Sequence, residues 1–344
     1  MNFYQCEILP VKKEIERFID SERFFDVIKK YQSDYFIKYY SDILKSHCKR
    51  GKCIRGYLVH LGYNVLPKCC EGNIVYAAVA YELFETGILA HDDIIDRSPI
   101  RRMAPALHIA LGEGHKGVSR SLCVGDVGIL LASAFLMDSG FPSDVCLKAM
   151  KHQTKIFSYT LSGELNDIDL SYANKYSEKE VLDMYILKTS LYTISGPLML
   201  GSILAGAPDS TREVLYKFGL NLGIAFQIVD DILGIFGSED VIGKSVTSDA
   251  SEGKKSILTH FFNENSTKQE YEKFYSIYGN REINTDDMKI IREIMVSCGA
   301  LEYAKEKVYY YSKKAYDIVD VAQFSDEYKQ SLYRLCEYMI NRNM

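Results

Sequence analysis

Long apolar segments with helical spacing dominate this sequence. Val75–Ile95, Val118–Met137 and Thr211–Phe236 are each long enough to form a buried helix, and the first ends before Ser98-Pro99, where proline disfavours continuation. Sustained alternation of apolar and polar residues is scarce, and no Asn-Gly or Asp-Gly turn joins two alternating segments. The pattern therefore predicts an all-α fold.

The same spacing extends to both ends of the chain. Val11–Tyr31 predicts one amphipathic helix, whereas 237–256 is polar and is predicted to be mostly irregular. Further helices are predicted at Ser143–Leu165, Ser177–Ala205, Met288–Ser297, Leu301–Asp317 and Asp326–Arg342. No low-complexity linker or internal repeat divides these segments, so we predict a single domain over residues 1–344.

Composition and charge exclude several classes of protein. The chain of 344 residues has a formal charge of −5 and no Lys/Arg blocks, which argues against nucleic-acid binding. Its nine cysteines form no zinc-type spacing, and together with the lack of a signal peptide they favour a reducing cytoplasm. The uncharged stretch Thr189–Pro208 could span a membrane by length, but Pro197 and its glycines favour a buried helix. We therefore do not expect an integral membrane protein.

Three aspartates form an acidic cluster where the first apolar segment ends. On a helix, Asp92 and Asp96 lie one turn apart on the same face, and Asp93 flanks them. Carboxylates crowded beside an apolar core are poorly solvated and repel one another. Mg²⁺ relieves this repulsion and readily shares carboxylate oxygens with substrate phosphates. For this cluster alone, a solvated helix end is the alternative interpretation.

A second acidic cluster repeats the arrangement. Asp230 and Asp231 follow the apolar run Phe218–Val229. Two such clusters facing each other across a helical bundle are typical of a site that binds two or three Mg²⁺ ions and a diphosphate. Basic side chains accompany both clusters along the sequence and indicate phosphate as the shared ligand, although surface solvation is the alternative for any one of them. They are Lys52, Arg55, Arg101, Arg102, Lys244, Lys254 and Lys255.

In order and spacing, these residues resemble the trans-isoprenyl diphosphate synthase family, also called polyprenyl synthetases, and among them geranylgeranyl diphosphate synthases most. The segments that carry the resemblance are Gly51–Arg55, Asp92–Asp96 with Arg101-Arg102, Lys188-Thr189, Phe226–Asp231 and Gly243–Lys254. The resemblance implies a helical bundle of the isoprenoid synthase type with a central active-site cavity. It also implies a motif-bearing core over residues 51–257, followed by C-terminal helices over 288–342.

The resemblance implies a head-to-tail condensation of isopentenyl diphosphate with an allylic diphosphate. The implied ligands of three Mg²⁺ ions are Asp92, Asp93, Asp96, Asp230 and Asp231. The residues implied to bind the allylic diphosphate or to lie beside the reacting centre are Arg101, Lys188, Thr189, Gln227, Lys244 and Lys254. Isopentenyl diphosphate would be held by Lys52, Arg55 and Arg102. A homodimer is also implied.

Several residues depart from the family pattern. Gly234 replaces the third aspartate of the second cluster, a variant found among geranylgeranyl diphosphate synthases, and Glu164 replaces a glutamine. Cys53 and Gly56 replace an arginine and a proline of the upstream motif. These changes remove one metal-binding carboxylate and alter the predicted isopentenyl diphosphate pocket.

Glu85 is the departure that bears most on function, because the family usually has a histidine there that contacts isopentenyl diphosphate. A carboxylate repels a diphosphate unless it is protonated or paired with Arg55 or Lys52. A synthase-like terpene synthase that acts on an allylic diphosphate alone is therefore the first alternative. A non-catalytic subunit of a heteromeric synthase is the second, but five of the six aspartates survive.

The helix leading into the first cluster is expected to set product length. Counting back from Asp92 at 1.5 Å per residue, Ile88, Phe84 and Tyr81 lie roughly 6, 12 and 16 Å from the metal site. Gly87 and Ile88 would leave the first turn open, and Phe84 or Tyr81 would form the floor of the tail pocket. This arrangement predicts a C20 product, with C15 and C25 as neighbours; ordinary core packing is the alternative for the aromatic pair.

Overall fold

The computed structural model describes residues 2–67, 71–237 and 247–341, and most of these residues are helical. A π-helix, Tyr4–Ile8, is followed by α1 (Leu9–Ile19), α2 (Glu22–Tyr31), α3 (Asp34–Lys49), α4 (Ile54–Tyr63), α5 (Ile74–Ile95), α6 (Leu107–Ala110), α7 (Gly114–Met137), α8 (Ser143–Tyr172) and α9 (Glu178–Tyr185). A second π-helix, Ile186–Ser195, precedes α10 (Gly196–Leu204), α11 (Asp209–Phe236), α12 (Ser248–Glu252), α13 (Ile257–Asn265), α14 (Lys268–Tyr275), α15 (Thr285–Ser297), α16 (Ala300–Val321) and α17 (Asp326–Ile340). Strands β1 (Ile100–Arg101) and β2 (Ala104–Pro105) form one short antiparallel pair. The all-α prediction is confirmed.

Local capping decides where several helices begin. The prediction of a single helix over Val11–Tyr31 is wrong, because the chain ends α1 at Ile19 and starts α2 at Glu22. The Oγ of Ser21 accepts a hydrogen bond from the N–H of Phe24, which satisfies one of the free donors at the start of α2. An apolar stripe can continue across such a break, so periodicity alone does not reveal it.

The chain packs as two compact units, and the first comprises residues 1–155 and 196–216. Within it, α5 packs against α4 and α7. Every residue from Ala77 to Ile88 is buried, so α5 is a central helix rather than a surface one. A Cβ atom at Gly87 would lie 2.5 Å from the carbonyl oxygen of Gly125, so the glycine permits close contact between α5 and α7.

The second unit comprises residues 156–195 and 217–344. Its core includes one buried face of α11, formed by Ile228, Val229 and Ile232. The π-helix that follows α9 is less common than an α-helix and often marks a functional site. The prediction of one domain over residues 1–344 stays a prediction.

Two helices within the described ranges are long and apolar enough to cross a membrane by length and composition, namely α7 and α11. Half of the most apolar window of α7 and 67% of that of α11 are buried inside the protein. Core helices of soluble proteins meet the same criteria, so this finding is weak support for a membrane span.

Candidate active site

Arg101 joins two aspartates of the first acidic cluster. Its Nε donates a hydrogen bond to Oδ1 of Asp93 at 2.7 Å, and its Nη2 donates to Oδ2 of Asp92 at 2.6 Å. Burial raises the pKa of Asp93, and Arg101 opposes that rise. Asp96 lies one turn further, at the C-terminal cap of α5. The predicted neighbours of the first motif are therefore brought together, with an arginine between two carboxylates.

A tight hairpin positions this arginine and the next one. β1 and β2 pair Arg101 with Ala104, and the turn between them places Arg102 and Met103 at φ values of 55° and 59°. Such left-handed conformations are unfavourable for residues other than glycine and tend to occur at functional sites. The turn directs the two adjacent arginines to different carboxylates.

Arg102 and Arg55 converge on Glu85. Arg55 donates from Nη1 to Oε1 of Glu85 at 2.7 Å, and Arg102 donates from Nη2 to the same oxygen. A Cβ atom at Gly51 would lie 2.6 Å from Nη1 of Arg102, so this glycine makes room for the guanidinium group. Lys52, from the same motif, is exposed. Burial would raise the pKa of Glu85, but the two arginines outweigh burial and lower it.

Glu82 is a part of this cluster that the sequence motifs did not reveal. It is 1% exposed, and its Oε1 accepts a hydrogen bond from the N–H of Gly56 at 2.8 Å. Burial raises the pKa of Glu82 to about 8, and the nearby Glu85 adds to the rise. Glu82 therefore favours the protonated form far more than an exposed glutamate does, and its Oε2 is buried without a hydrogen-bond partner among the described residues. The sequence signal that could have revealed Glu82 is the run of apolar residues around it on α5, because a glutamate within such a run is buried.

The second acidic cluster is held by a chain of hydrogen bonds. Thr189 donates from Oγ1 to Oε1 of Gln227 at 2.5 Å, and Gln227 donates from Nε2 to Oδ1 of Asp231 at 2.8 Å. Tyr185 donates to the other oxygen of Asp231, and its own oxygen accepts from the N–H of Ile257 at 3.0 Å. Thr189 and Gln227, which the sequence analysis placed beside the reacting centre, thus belong to the hydrogen-bonded chain that holds Asp231. Tyr185 was not identified from the sequence.

Desolvation raises the pKa of Asp231 to about 8. The hydrogen bonds from Tyr185 and Gln227 oppose this rise, while Asp249 and Asp230 increase it. Several carboxylates therefore share a small region. The arrangement favours a bound cation or a bound proton on Asp231.

Asp249 brings a carboxylate to the position of the missing third aspartate. A Cβ atom at Gly234 would collide with Oδ2 of Asp249, so that carboxylate lies directly against the glycine. Lys254 lies 3.3 Å from Oδ1 of Asp249 and 3.4 Å from Oε2 of Glu252. Sequence reasoning placed Lys254 in the site but not Asp249, although both belong to the same motif.

Lys188, in the π-helix, is paired with two carboxylates. Its Nζ lies 2.6 Å from Oδ2 of Asp167 and 2.9 Å from Oε2 of Glu164. The glutamate that replaces the family's glutamine therefore contacts a cation predicted to bind diphosphate. Lys244, the remaining predicted cation, lies outside the described residues.

The residues expected to set product length all lie on α5. Tyr81 and Phe84 are fully buried, and Ile88 is 8% exposed. Gly87 lies against α7, and this contact between helices accounts for the glycine without a tail pocket.

The donors of both clusters suit Mg²⁺. Carboxylate oxygens are its preferred protein ligands, and the raised pKa values of Asp93 and Asp231 mark carboxylates that a cation would stabilise. Across residues 2–67, 71–237 and 247–341, no three His, Cys, Asp or Glu side chains already form a group that could hold a metal ion. Mg²⁺ is commonly bound by one or two carboxylates together with substrate phosphates and water, so each cluster by itself offers suitable protein ligands.

Comparison with known proteins identifies the family. The model of the polyprenyl synthetase family matches residues 37–295. The geranylgeranyl diphosphate synthase of Sulfolobus acidocaldarius is 32% identical over 323 residues, which is 92% of this chain and 94% of that protein. The geranylfarnesyl diphosphate synthase of Aeropyrum pernix is 31% identical over 278 residues, covering 79% of this chain and 84% of that protein.

A solved structure agrees with these sequence matches. The geranylgeranyl pyrophosphate synthase from Corynebacterium glutamicum, crystallised with isoprenyl diphosphate and magnesium, superposes with a TM-score of 0.86 at 26% identity. The match covers 97% of this chain and 98% of that chain. The protein described above is thus an all-helical isoprenyl synthase by fold. It belongs to the polyprenyl synthetase family and is a trans-prenyltransferase.

Proposed function

We propose that this enzyme condenses isopentenyl diphosphate head-to-tail with allylic diphosphates and releases a C20 prenyl diphosphate, geranylgeranyl diphosphate. The observation that carries the proposal is the 32% identity to a geranylgeranyl diphosphate synthase over 92% of the chain. A C25 product also fits, because a geranylfarnesyl diphosphate synthase is 31% identical. A C15 product is the shorter alternative.

The allylic diphosphate is assigned to the two acidic clusters. Asp92, Asp93, Asp96, Asp230 and Asp231 would hold Mg²⁺, in three ions when the diphosphate is bound. The bound metal would neutralise the diphosphate and assist its departure from the allylic carbon. Arg101 supports this assignment, because its guanidinium group hydrogen-bonds to both Asp92 and Asp93 and so fixes their orientation before substrate binds.

Cationic side chains of the chain would bind the leaving group directly. Lys188 and Lys254 are both held by carboxylates in the free protein. When the diphosphate binds, these ammonium groups can turn from their carboxylate partners to phosphate oxygens. Thr189 and Gln227 would orient Asp231 through their hydrogen bonds. Lys244 is proposed to act with them on sequence grounds alone.

Lys52, Arg55 and Arg102 are assigned to isopentenyl diphosphate. Two of them already lie side by side at Glu85, which supports a shared anion-binding role. The released diphosphate is the proposed acceptor of the final proton, so no side chain of the protein is needed as a base.

Phe84 or Tyr81 is proposed to close the pocket for the growing tail. Both are fully buried on the helix that ends in the first acidic cluster. At 1.5 Å per residue they lie roughly 12 and 16 Å before Asp92, about the reach of a prenyl chain. We further propose that the protein is a soluble, cytoplasmic homodimer with one synthase domain.

One experiment tests the activity. Purified protein is incubated with Mg²⁺, isopentenyl diphosphate and dimethylallyl, geranyl or farnesyl diphosphate in turn, and the products are identified by mass spectrometry. Consumption of isopentenyl diphosphate with formation of C20 diphosphate is the expected result. No consumption with any allylic partner would refute the proposal, provided that EDTA-treated and Mg²⁺-loaded samples are both folded.

A synthase-like terpene synthase is the second candidate, and the pairing of Glu85 with both arginines favours it, because it lowers the positive charge offered to isopentenyl diphosphate. Incubation with each allylic diphosphate alone distinguishes the two. A hydrocarbon or alcohol formed without isopentenyl diphosphate would establish the second candidate.

A further inference from the structure

Two departures from the family pattern, Gly56 and Glu85, lie beside the same buried side chain, that of Glu82. The N–H of Gly56 donates to Oε1 of Glu82, and Glu85 lies close enough to Glu82 to raise its pKa. Proline, which the family has in place of Gly56, has no N–H to donate. Glycine also leaves space here, since a Cβ atom at residue 56 would lie 2.5 Å from Cδ1 of Ile15 and 3.2 Å from Oε1 of Glu82. The glycine therefore makes room for a buried glutamate one helical turn before Glu85.

Burial and two arginines fix the position and the charge of Glu85. The side chain is 4% exposed, so its carboxylate has little access to water. A buried carboxylate is stable only when cations and hydrogen bonds compensate it. Arg55 and Arg102 supply both the cations and the hydrogen bonds. Glu85 is consequently held as an anion between the two arginines.

The same arginines are the groups assigned to isopentenyl diphosphate. Both direct an N–H group to a single oxygen, Oε1 of Glu85. An incoming diphosphate must share these guanidinium groups with an anion that cannot leave, because Glu85 is enclosed in the core of the first unit. Like charges held close together in a poorly solvated region repel one another, so the carboxylate weakens the binding of the second anion.

We propose that Glu85 is a specificity-determining residue, an internal anion that competes with isopentenyl diphosphate for Arg55 and Arg102. It lowers the affinity of this subsite for diphosphate while it keeps the two guanidinium groups in place. This inference rests on the proposed condensation activity.

Glu85→Gln is the test, because the amide oxygen can still accept hydrogen bonds from both arginines while the negative charge is removed. The KM for isopentenyl diphosphate is expected to fall by about tenfold, the scale of one partly screened unit charge a few ångströms from the ligand. The KM for the allylic diphosphate and kcat should change by less than about twofold. An unchanged or increased KM for isopentenyl diphosphate would overturn the proposal.

Glu178→Gln serves as the matched control. Glu178 is also paired with a cation, Lys307, but it takes no part in the proposed site. Its replacement should leave both KM values unchanged. If Glu85→Gln does not fold, Glu85→Asp replaces it: the carboxylate withdraws by one methylene from both arginines, and the KM for isopentenyl diphosphate should fall by about threefold. An increase in that variant would contradict the proposal.

A binding measurement separates this inference from the proposed activity. Inorganic diphosphate is titrated calorimetrically into EDTA-treated wild-type and Glu85→Gln protein, so that no condensation is required. Tighter binding to the variant supports the competition even if wild-type protein never consumes isopentenyl diphosphate. Equal or weaker binding refutes the competition, even if wild-type protein makes the C20 product.

Discussion

The carboxylate of Asp249 lies against the backbone of Gly234, in the space that any side chain at residue 234 would need. Glycine at this position removes one carboxylate from the second acidic cluster, but it also admits another from α12. Asp249 then lies close enough to Asp231 to raise the pKa of that residue further. The glycine at residue 234 therefore leaves the room that the carboxylate of Asp249 occupies.

Gly234→Ala should lower activity without unfolding the protein. The new methyl group displaces the flexible end of Asp249 and weakens its contact with Lys254, while alanine is favoured over glycine in a helix by up to about 1 kcal/mol. We expect the Mg²⁺ concentration that gives half-maximal activity to be several-fold higher in the variant than in wild-type protein. The midpoint of its thermal unfolding should equal or exceed that of wild-type protein. An unchanged Mg²⁺ requirement in activity assays would show that Asp249 has no role at the cluster.

Glu82→Gln should remove part of the pH dependence of stability. Because the folded pKa of Glu82 is about 8 and its usual value is 4.5, its contribution to stability is full at acidic pH and is lost as pH rises towards 8. The amide cannot ionise, so the variant should gain stability relative to wild-type protein between pH 5 and 8 and gain no more above that. The gain should exceed about 1 kcal/mol, since each unit of pKa shift is worth about 1.4 kcal/mol.

Urea unfolding at several pH values measures this difference. Glu178→Gln is the control, because the pKa of Glu178 is lowered, and that carboxylate stays ionised in both states over the same range. A stability difference between Glu82→Gln and wild-type protein that is constant from pH 5 to 8 would contradict a protonated Glu82.

Tyr185→Phe should destabilise the second unit. The hydroxyl group donates to Asp231 and accepts from the N–H of Ile257, so its removal leaves two buried groups without that partner. The expected loss is about 1–3 kcal/mol in the free energy of unfolding, as for other buried groups deprived of a hydrogen bond. The matched control is Tyr172→Phe, because Tyr172 is 84% exposed and its hydroxyl is not needed inside the protein.

Phe84→Ala should lengthen the product. Removal of the ring opens space at the proposed end of the tail pocket, so C25 and longer prenyl diphosphates should appear beside C20. Because Phe84 is fully buried, the variant should also lose about 3–5 kcal/mol in its free energy of unfolding. Its activity should therefore be assayed well below its melting temperature. Leu83→Ala, equally buried on the same helix, is the control that should keep the product distribution. Identical products from wild-type protein and Phe84→Ala would exclude Phe84 as the floor.

The sequence predicted the long helices well, because their physical cause is local. α5 and α11 begin and end within two residues of the predicted bounds, since uninterrupted apolar runs of that length have few other stable structures. The break at Ser21 was missed because it depends on one side chain that caps α2 in competition with a continuing apolar stripe. The helices α3 and α4 were not predicted at all.

The residue types that make up the site were predicted from the sequence, but the pairs that their side chains form were not. Spacing along a helix indicated that Asp92, Asp93 and Asp96 act together. It could not show that Arg102 crosses to Glu85 rather than to the aspartates, because that depends on a strained turn at left-handed φ values. Contacts between distant segments are decided by tertiary packing, which a single sequence does not display.

The wide turns of Ile186–Ser195 make the site sensitive to chain length as well as to residue type. In a π-helix each backbone hydrogen bond spans five residues instead of four, so the segment behaves as an α-helix that has gained a residue. Deleting one residue there could restore regular winding, but it would rotate Lys188 and Thr189 by about 100° relative to the following helix. Both would then turn away from Asp167 and Gln227. Insertions and deletions in this stretch should therefore be far less tolerated than single substitutions, even where the helix itself survives.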